Sequence, residues 1–177
     1  SQEQILGVGI GTVGPLDRIN GVMENPKSFM SPSWNNIPIK DMVEQELGLP
    51  VFIDNGANTA VLAEFLYGVG KQNRNIAYFN CGIGIRTGAI SSGILVRTIK
   101  DAEDVFGHMI IDVDGEPCYC GNYGCIDQYS SILAITKNFQ SRVKKGRTTS
   151  IAKRLEDINY IDICNAAEQK DDLAREV

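Results

Sequence analysis

Over residues 4–12 the apolar Ile5, Leu6, Val8 and Ile10 are interleaved with glycines and then meet Gly14-Pro15, which predicts a buried strand running into a turn. Asn20-Gly21 predicts a tight turn, Val22 and Met23 a short strand after it, and residues 26–38 a loop carrying the single Trp34. Ile39, Met42, Val43 and Leu47 recur at helical spacing, so residues 41–47 are predicted helical, with Gly48 and Pro50 as the stop. The run Val51-Phe52-Ile53 predicts a strand, and residues 57–67, rich in Ala, Leu and Glu, the helix it leads into. Asp54-Asn55-Gly56-Ala57-Asn58 forms the junction. Gly68, Gly70 and polar residues 71–75 mark a boundary near residue 71, dividing the chain into parts 1–71 and 72–177. Residues 76–80, 84–90 and 94–96 predict consecutive strands, with Ser91-Ser92-Gly93 as a hairpin turn. Residues 129–144, 151–156 and 160–168 are amphipathic and predicted helical, and a highly charged last helix is expected over 168–176.

Composition narrows the function classes. A chain of 177 residues, 43% apolar, has room for one ordinary domain or parts of two, and material for a core. A net charge of −5 argues against an extended nucleic-acid footprint in these residues. No apolar run approaches the roughly 18 residues of a membrane span. The start, SQEQILGVGIG, lacks the charged region and cleavage site of a secretory leader, so a cytoplasmic protein is expected. Opening on a core strand and stopping in a charged helix, the chain reads as an excerpt of a longer protein that associates with another chain.

The richest chemistry lies between His108 and Cys125. Cys118 and Cys120 form a C-x-C, Cys125 follows after four residues, and Gly115, Gly121 and Gly124 lie between. Short loops of this kind fold three thiolates around one zinc ion, with His108 as the fourth ligand; four protein ligands leave no position for water, the mark of a structural site. The alternative is disulfides or buried free thiols, which the expected compartment disfavours. His108 is the only histidine, so as a ligand it leaves no imidazole to act as a general base.

Four separated stretches resemble one family, the repressor, open reading frame and kinase proteins known as ROK. Gly9-Ile10-Gly11-Thr12-Val13-Gly14-Pro15-Leu16-Asp17 is similar to the family's G-x-G-x-P-G-P-V-D segment, with Val13 where Pro is usual. Asp54-Asn55-Gly56-Ala57-Asn58 resembles the sugar-site motif E/D-N-D-A-N. Gly82-Ile83-Gly84 resembles part of the second phosphate loop G-T-G-I-G-x-G, and Gly107-His108 with Cys118, Cys120, Gly121, Gly124 and Cys125 resembles the zinc signature. The resemblance runs from about residue 5 to 130. It implies an α/β, actin-like sugar-kinase (ribonuclease H-like) fold of two lobes, here as a truncated fragment. The family's D-x-G-G-T loop, its closing helices and the winged helix-turn-helix of its repressors have no counterpart in these residues.

In the family kinases the Asp of N-D-A-N takes the proton from the sugar hydroxyl; here Gly56 stands in its place, and Asp54 matches the preceding acidic residue. A positioned base is worth about 10²- to 10⁴-fold in rate, and glycine supplies none. Asn80 and Cys81 replace the usual Gly-Thr of the phosphate loop, Arg86 stands at a later glycine, and Val105 replaces the sugar-binding Glu of G-E-x-G-H. The resemblance thus leaves no catalytic residue, a phosphate-loop remnant at Gly82 and Gly84, sugar contacts at Asn55, His108 and Asp127, and metal ligands at His108, Cys118, Cys120 and Cys125. Structural roles compete: Asn55 and Asn58 as helix-start residues, Asp127 as a helix N-terminal carboxylate, Trp34 as packing, Cys81 and Cys164 as buried apolar thiols, and residues 144–147 as a solvated turn. The expectation is a sugar- or sugar-phosphate-sensing domain of a ROK transcriptional regulator, with structural zinc, without ATP or Mg²⁺. It would be homodimeric, act by lobe closure, and reach DNA only through a separate N-terminal domain. The competing expectations are an ATP-dependent sugar kinase and a non-sensing oligomerisation scaffold.

Overall fold

The computed structural model describes residues 5–26, 31, 33–97 and 105–177. Gln4, part of the 26–38 loop and Asp104 lie outside the described residues. The chain clusters into two compact units, residues 1–80 with 86–106, and residues 81–85 with 107–177. This division differs from the parts 1–71 and 72–177 expected from the polar run: the hairpin strands after that run stay with the first unit.

In the first unit, β1 (Val8–Thr12) pairs in parallel with β4 (Val51–Asn55), from Val8 opposite Val51 to Thr12 opposite Asn55. Between them come the small hairpin β2 (Leu16–Asp17) and β3 (Val22–Met23) and the helix α1 (Ile39–Leu47). The Asp17 carboxylate accepts the Ile19 and Asn20 amides across the hairpin turn, as the Asn-Gly signal requires. Helix α1 starts two residues before its predicted position and ends on left-handed Gly48, whose amide returns to the Glu44 carbonyl. Leu16, Val51 and Ile53 form the core, flanked by Val8, Ile10, Ile39 and Val43, which is why alternate positions of β4 are apolar. Asn55 ends β4 and caps α2 (Gly56–Leu66). The strands β5 (Ile76–Cys81), β6 (Ile85–Ser91) and β7 (Ile94–Val96) form a three-stranded sheet in that order, with Ser92-Gly93 as the turn between the last two.

In the second unit, the short α3 (Asp127–Ser130) precedes α4 (Ile132–Lys144), and α4, α5 (Tyr160–Glu168) and α6 (Asp172–Glu176) gather around fully buried Phe139. Ile158, Ile163, Ala166, Leu173 and Ala174 complete that core.

Three helical expectations need correction, each because a short polar side chain captures backbone amides. The helix expected over 129–144 breaks at Ser131, which is extended and accepts the Ala134 amide at 3.2 Å as the cap of α4. The helix expected over 151–156 is reduced to a single 3₁₀ turn, Leu155–Asp157, and just before it the Ser150 amide and the Thr149 and Ser150 hydroxyls all donate to the Asp171 carboxylate. The helix expected over 168–176 is cut by Lys170, at positive φ, and by Asp171, which caps α6 through the Ala174 amide.

Candidate functional site

In the second unit the donor atoms of His108, Cys118, Cys120 and Cys125 all lie within 4.8 Å of one another. Two short bridges, Ile110 with Cys125 and Pro117 with Tyr123, fold the loop, and the Gly124 amide donates to the Glu116 carbonyl. Gly124 has φ +66°, and a Cβ there would run into the Asp112 carbonyl, so the tight return that brings Cys125 back needs glycine. The His108 ring is met edge-on by Tyr119 at 5.0 Å, and the Gln128 amide donates to the Cys118 sulfur at 3.5 Å.

The spacing fits a tetrahedral ion. With metal–sulfur bonds of about 2.3 Å and metal–nitrogen bonds of about 2.0 Å, the sulfur–sulfur and sulfur–nitrogen edges are about 3.8 Å and 3.5 Å. Cys120 and Cys125 have their sulfurs 3.7 Å apart, and Cys118 Sγ lies 3.5 Å from His108 Nδ1. A disulfide needs about 2.05 Å, and all five cysteines are free. Burial, reinforced by the Cys120 and Cys118 sulfurs, pushes the Cys125 thiol up to about 12, so three thiolates share this volume only around a cation. The cluster could hold a metal ion.

Asp127 sits at the start of α3, buried, yet its Oδ1 accepts the Ile85 amide at 2.7 Å rather than an amide of its own short helix. It ties the segment 81–85 of the second unit to the loop that carries Cys125. Gly82 and Gly84 close the turn between β5 and β6, where the Gly82 amide donates to the Gly84 carbonyl and the Gly82 carbonyl accepts the Ile132 amide. Cys81 corrects an expectation: it is exposed, at the end of β5, and Cys164 is only half-buried. The Tyr160 hydroxyl bonds Cys164 and feels Cys81, which holds that phenol above its usual range. Residues 144–147 form the exposed turn expected, with Arg147 and Arg142 paired to Glu176 at 2.8 Å and 3.1 Å.

The first unit carries a cavity of about 340 Å³ lined by residues of β1, β4, α2, β5 and β6, among them Thr12, Asn55, Gly56, Tyr78, Asn80 and Arg86. Asn55 is buried and its side chain accepts the Ala57 amide at 2.9 Å, so its capping role is real. Asp54 faces elsewhere. Arg97 holds it in a two-pronged fork, at 2.9 Å and 2.7 Å, and the Asn55 amide adds a third bond. Partial burial raises the Asp54 pKa, but the Arg97 fork and the Asn55 amide outweigh it and keep the carboxyl below its ordinary value.

A profile of the ROK family matches residues 1–177. The chain belongs to the ROK family. Its ROK relatives include the xylose repressor of Bacillus subtilis (strain 168), 32% identical over 167 residues, covering 94% of this chain and 39% of the repressor. They also include the glucokinase of Thermotoga maritima, 32% identical over 146 residues, covering 82% of this chain and 45% of the enzyme. Among solved structures, a ROK transcriptional regulator described as a homologue of the E. coli MLC protein matches with TM-score 0.78 and 27% identity, over 95% of this chain and 41% of that one. A ROK glucokinase from Streptomyces griseus, in complex with glucose and AMPPNP, matches with TM-score 0.76 and 30% identity, over 97% and 56%. The fold is therefore the ROK sugar-kinase fold, and the chain spans from about two fifths to just over half of these proteins. Both repressors and kinases stand among its relatives.

Within that ROK frame, Gly56 is the informative position. A Cβ built there meets only the Thr12 carbonyl oxygen, at 3.5 Å, an ordinary contact. The backbone there leaves room for a Cβ, so contacts at that atom do not by themselves require glycine. The Arg97–Asp54 fork escaped the sequence reading, because the partners lie 43 residues apart and no local pattern joins them. Asp171 escaped it too, hidden in a charged segment that looked like continuous helix.

Proposed function

We propose that this chain is a sugar-sensing effector domain of a ROK transcriptional regulator, organised by a structural zinc ion and without phosphoryl transfer. The observation that carries the reading is the cavity of the first unit, which keeps its ROK framework around Asn55 but has Gly56 where the kinase motif has its proton acceptor, with space for the missing side chain. Asp54 is no substitute, because Arg97 occupies both of its oxygens and holds it ionised.

Zinc is favoured by the donor set: three thiolates and one imidazole are soft to borderline ligands, and four of them close the coordination sphere. His108, Cys118, Cys120 and Cys125 would hold the ion, which supplies folding energy to the loop rather than an activated water. From the resemblance of their motifs, Asn55, His108 and Asp127 are the residues we assign to sugar contact. Asp127 Oδ1 already accepts the Ile85 amide, leaving its second oxygen for a ligand hydroxyl. Gly82 and Gly84 remain as the trace of a phosphate loop in which the Gly82 amide now serves the turn and the Gly82 carbonyl accepts the Ile132 amide at the start of α4.

A sensor needs a ligand that binds one conformation more tightly than another. The Bacillus subtilis relative is a xylose repressor and supports a monosaccharide as that ligand. We assign the partner chain as a second copy in a cytoplasmic dimer. No helix among the described residues is long and apolar enough to cross a membrane. DNA would be reached only through a separate domain.

Calorimetric titration of the zinc-loaded protein with monosaccharides and their phosphates tests the reading. Saturable heat with at least one of them is expected. No heat with any would favour an oligomerisation scaffold instead, and sugar-dependent ADP formation would favour the kinase relatives. Gly56→Asp sharpens the last point: it gains turnover only if the remaining site is catalytically intact.

A further inference from the structure

The two ends of the cysteine loop meet on a residue outside the ligand set. Gln128 follows Cys125 in α3 and is half-buried. Its backbone amide donates to the Cys125 carbonyl at 2.9 Å, and its side-chain amide donates to the Cys118 sulfur at 3.5 Å. One residue thus touches the first cysteine of the loop and the last. Its neighbour fixes it there: the Tyr129 hydroxyl accepts the amide of Glu116, shortly before Cys118, at 2.9 Å, and a Cβ at Gly115 would collide with that hydroxyl. The short α3 is therefore pinned to the loop segment that leads into Cys118.

We infer that Gln128 is a positioning residue of the metal centre, whose side-chain amide holds the Cys118 thiolate in the orientation the ion requires. The inference rests on the zinc reading and goes beyond it, since no ligand is added. A thiolate carries no hydrogen and can only accept, while the glutamine amide supplies two N–H groups. A hydrogen bond to an ionised acceptor is stronger than one between neutral groups. Partners of this kind around a metal site are worth about 10- to 100-fold in affinity, because they orient the ligand and tune its charge. The competing role for a half-buried glutamine is packing, and the two roles rank substitutions in opposite order. Gln128→Met keeps an unbranched apolar stem and removes the donor, whereas Gln128→Lys keeps an N–H donor but brings a charge that packing would reject.

Zinc affinity is compared by chelator competition for the unaltered protein, Gln128→Met and Gln128→Lys, with the sulfur-to-metal charge-transfer band of the cobalt-loaded proteins as a second readout. Gln128→Met is expected to weaken zinc binding by about tenfold or more. Its cobalt band should move to longer wavelength, because a thiolate without its hydrogen bond gives up electron density more readily. Gln128→Lys should stay within about threefold of the unaltered protein. Undiminished zinc affinity or an unmoved cobalt band in folded Gln128→Met overturns the inference and leaves the zinc reading in place, as does Gln128→Lys weakened as much as Gln128→Met. If Gln128→Met fails to fold, Gln128→Lys decides alone: retained affinity supports the donor role, and a loss of about tenfold overturns it. An unaltered protein that takes up no zinc removes the zinc reading and the inference together.

Discussion

The two units have kept different things. In the second, four donors needed for one ion lie together within 4.8 Å, on a loop whose glycine return and amide bonds serve that arrangement. In the first, the cavity has Gly56 in its wall, where the proposed reading puts the kinases' proton acceptor, and a Cβ there would make only an ordinary contact. An ion that supplies folding energy cannot be surrendered without losing the loop, whereas a proton acceptor can disappear while the scaffold persists. The contrast teaches that the fold's integrity and its chemistry rest on separate residues here.

Four variants break or sharpen that contrast, in decreasing order of expected effect. Cys125→Ser should abolish metal binding, because binding worth on the order of 10 kcal/mol in small zinc domains depends on the full ligand set. Elemental analysis should fall from one zinc per chain to almost none, with the 107–130 loop losing hydrogen-exchange protection. Full zinc retention in this variant would make the two units alike in tolerance. Phe139→Ala should cost about 3–5 kcal/mol by denaturant melting, because a fully buried aromatic ring leaves a cavity in the second unit's core. Ligand binding in the first unit's cavity should stay unchanged under conditions where both remain folded.

Asp171→Asn should cost about 2 kcal/mol and flatten the acid limb of stability. Burial raises the Asp171 pKa, but amides from Ser150 and Ala174 and nearby hydroxyls outweigh it and hold the carboxyl at about 2, below the ordinary 3.8. Being depressed in the folded state, its contribution is present above the ordinary value and is lost as pH falls from there toward about 2. Melting curves across that window should show the unaltered protein losing more stability than the asparagine variant. Arg97→Gln has the smallest effect, about 1 kcal/mol, since the fork is partly exposed and screened. Nuclear magnetic resonance titration should show the Asp54 carboxyl rising toward its ordinary value.

Much of the fold was legible because it is local. The alternation in β4, the Gly48 stop of α1 and the Asn55 junction all write their signal within a few residues, and the strands and first two helices fall within one or two residues of expectation, except where β1 starts later. The clustering of His108 with three cysteines was legible because sulfur and imidazole at short spacing have few other uses. The second unit's helices were misread where Ser131 and Asp171 divert amides, and Asp171 does so from a distance of 21 residues. The Arg97–Asp54 fork and the exposure of Cys81 depend on which surfaces meet, which no window of sequence contains.

The central claim, a ROK scaffold that keeps its metal anchor and has lost phosphoryl transfer, is tested most directly by ADP release from the unaltered, zinc-loaded protein given ATP, Mg²⁺ and a panel of sugars. The account predicts no sugar-dependent ADP above the background of slow hydrolysis. Saturable, sugar-dependent release at a rate on the order of 1 s⁻¹ or more, the ordinary range of kinases, would contradict it.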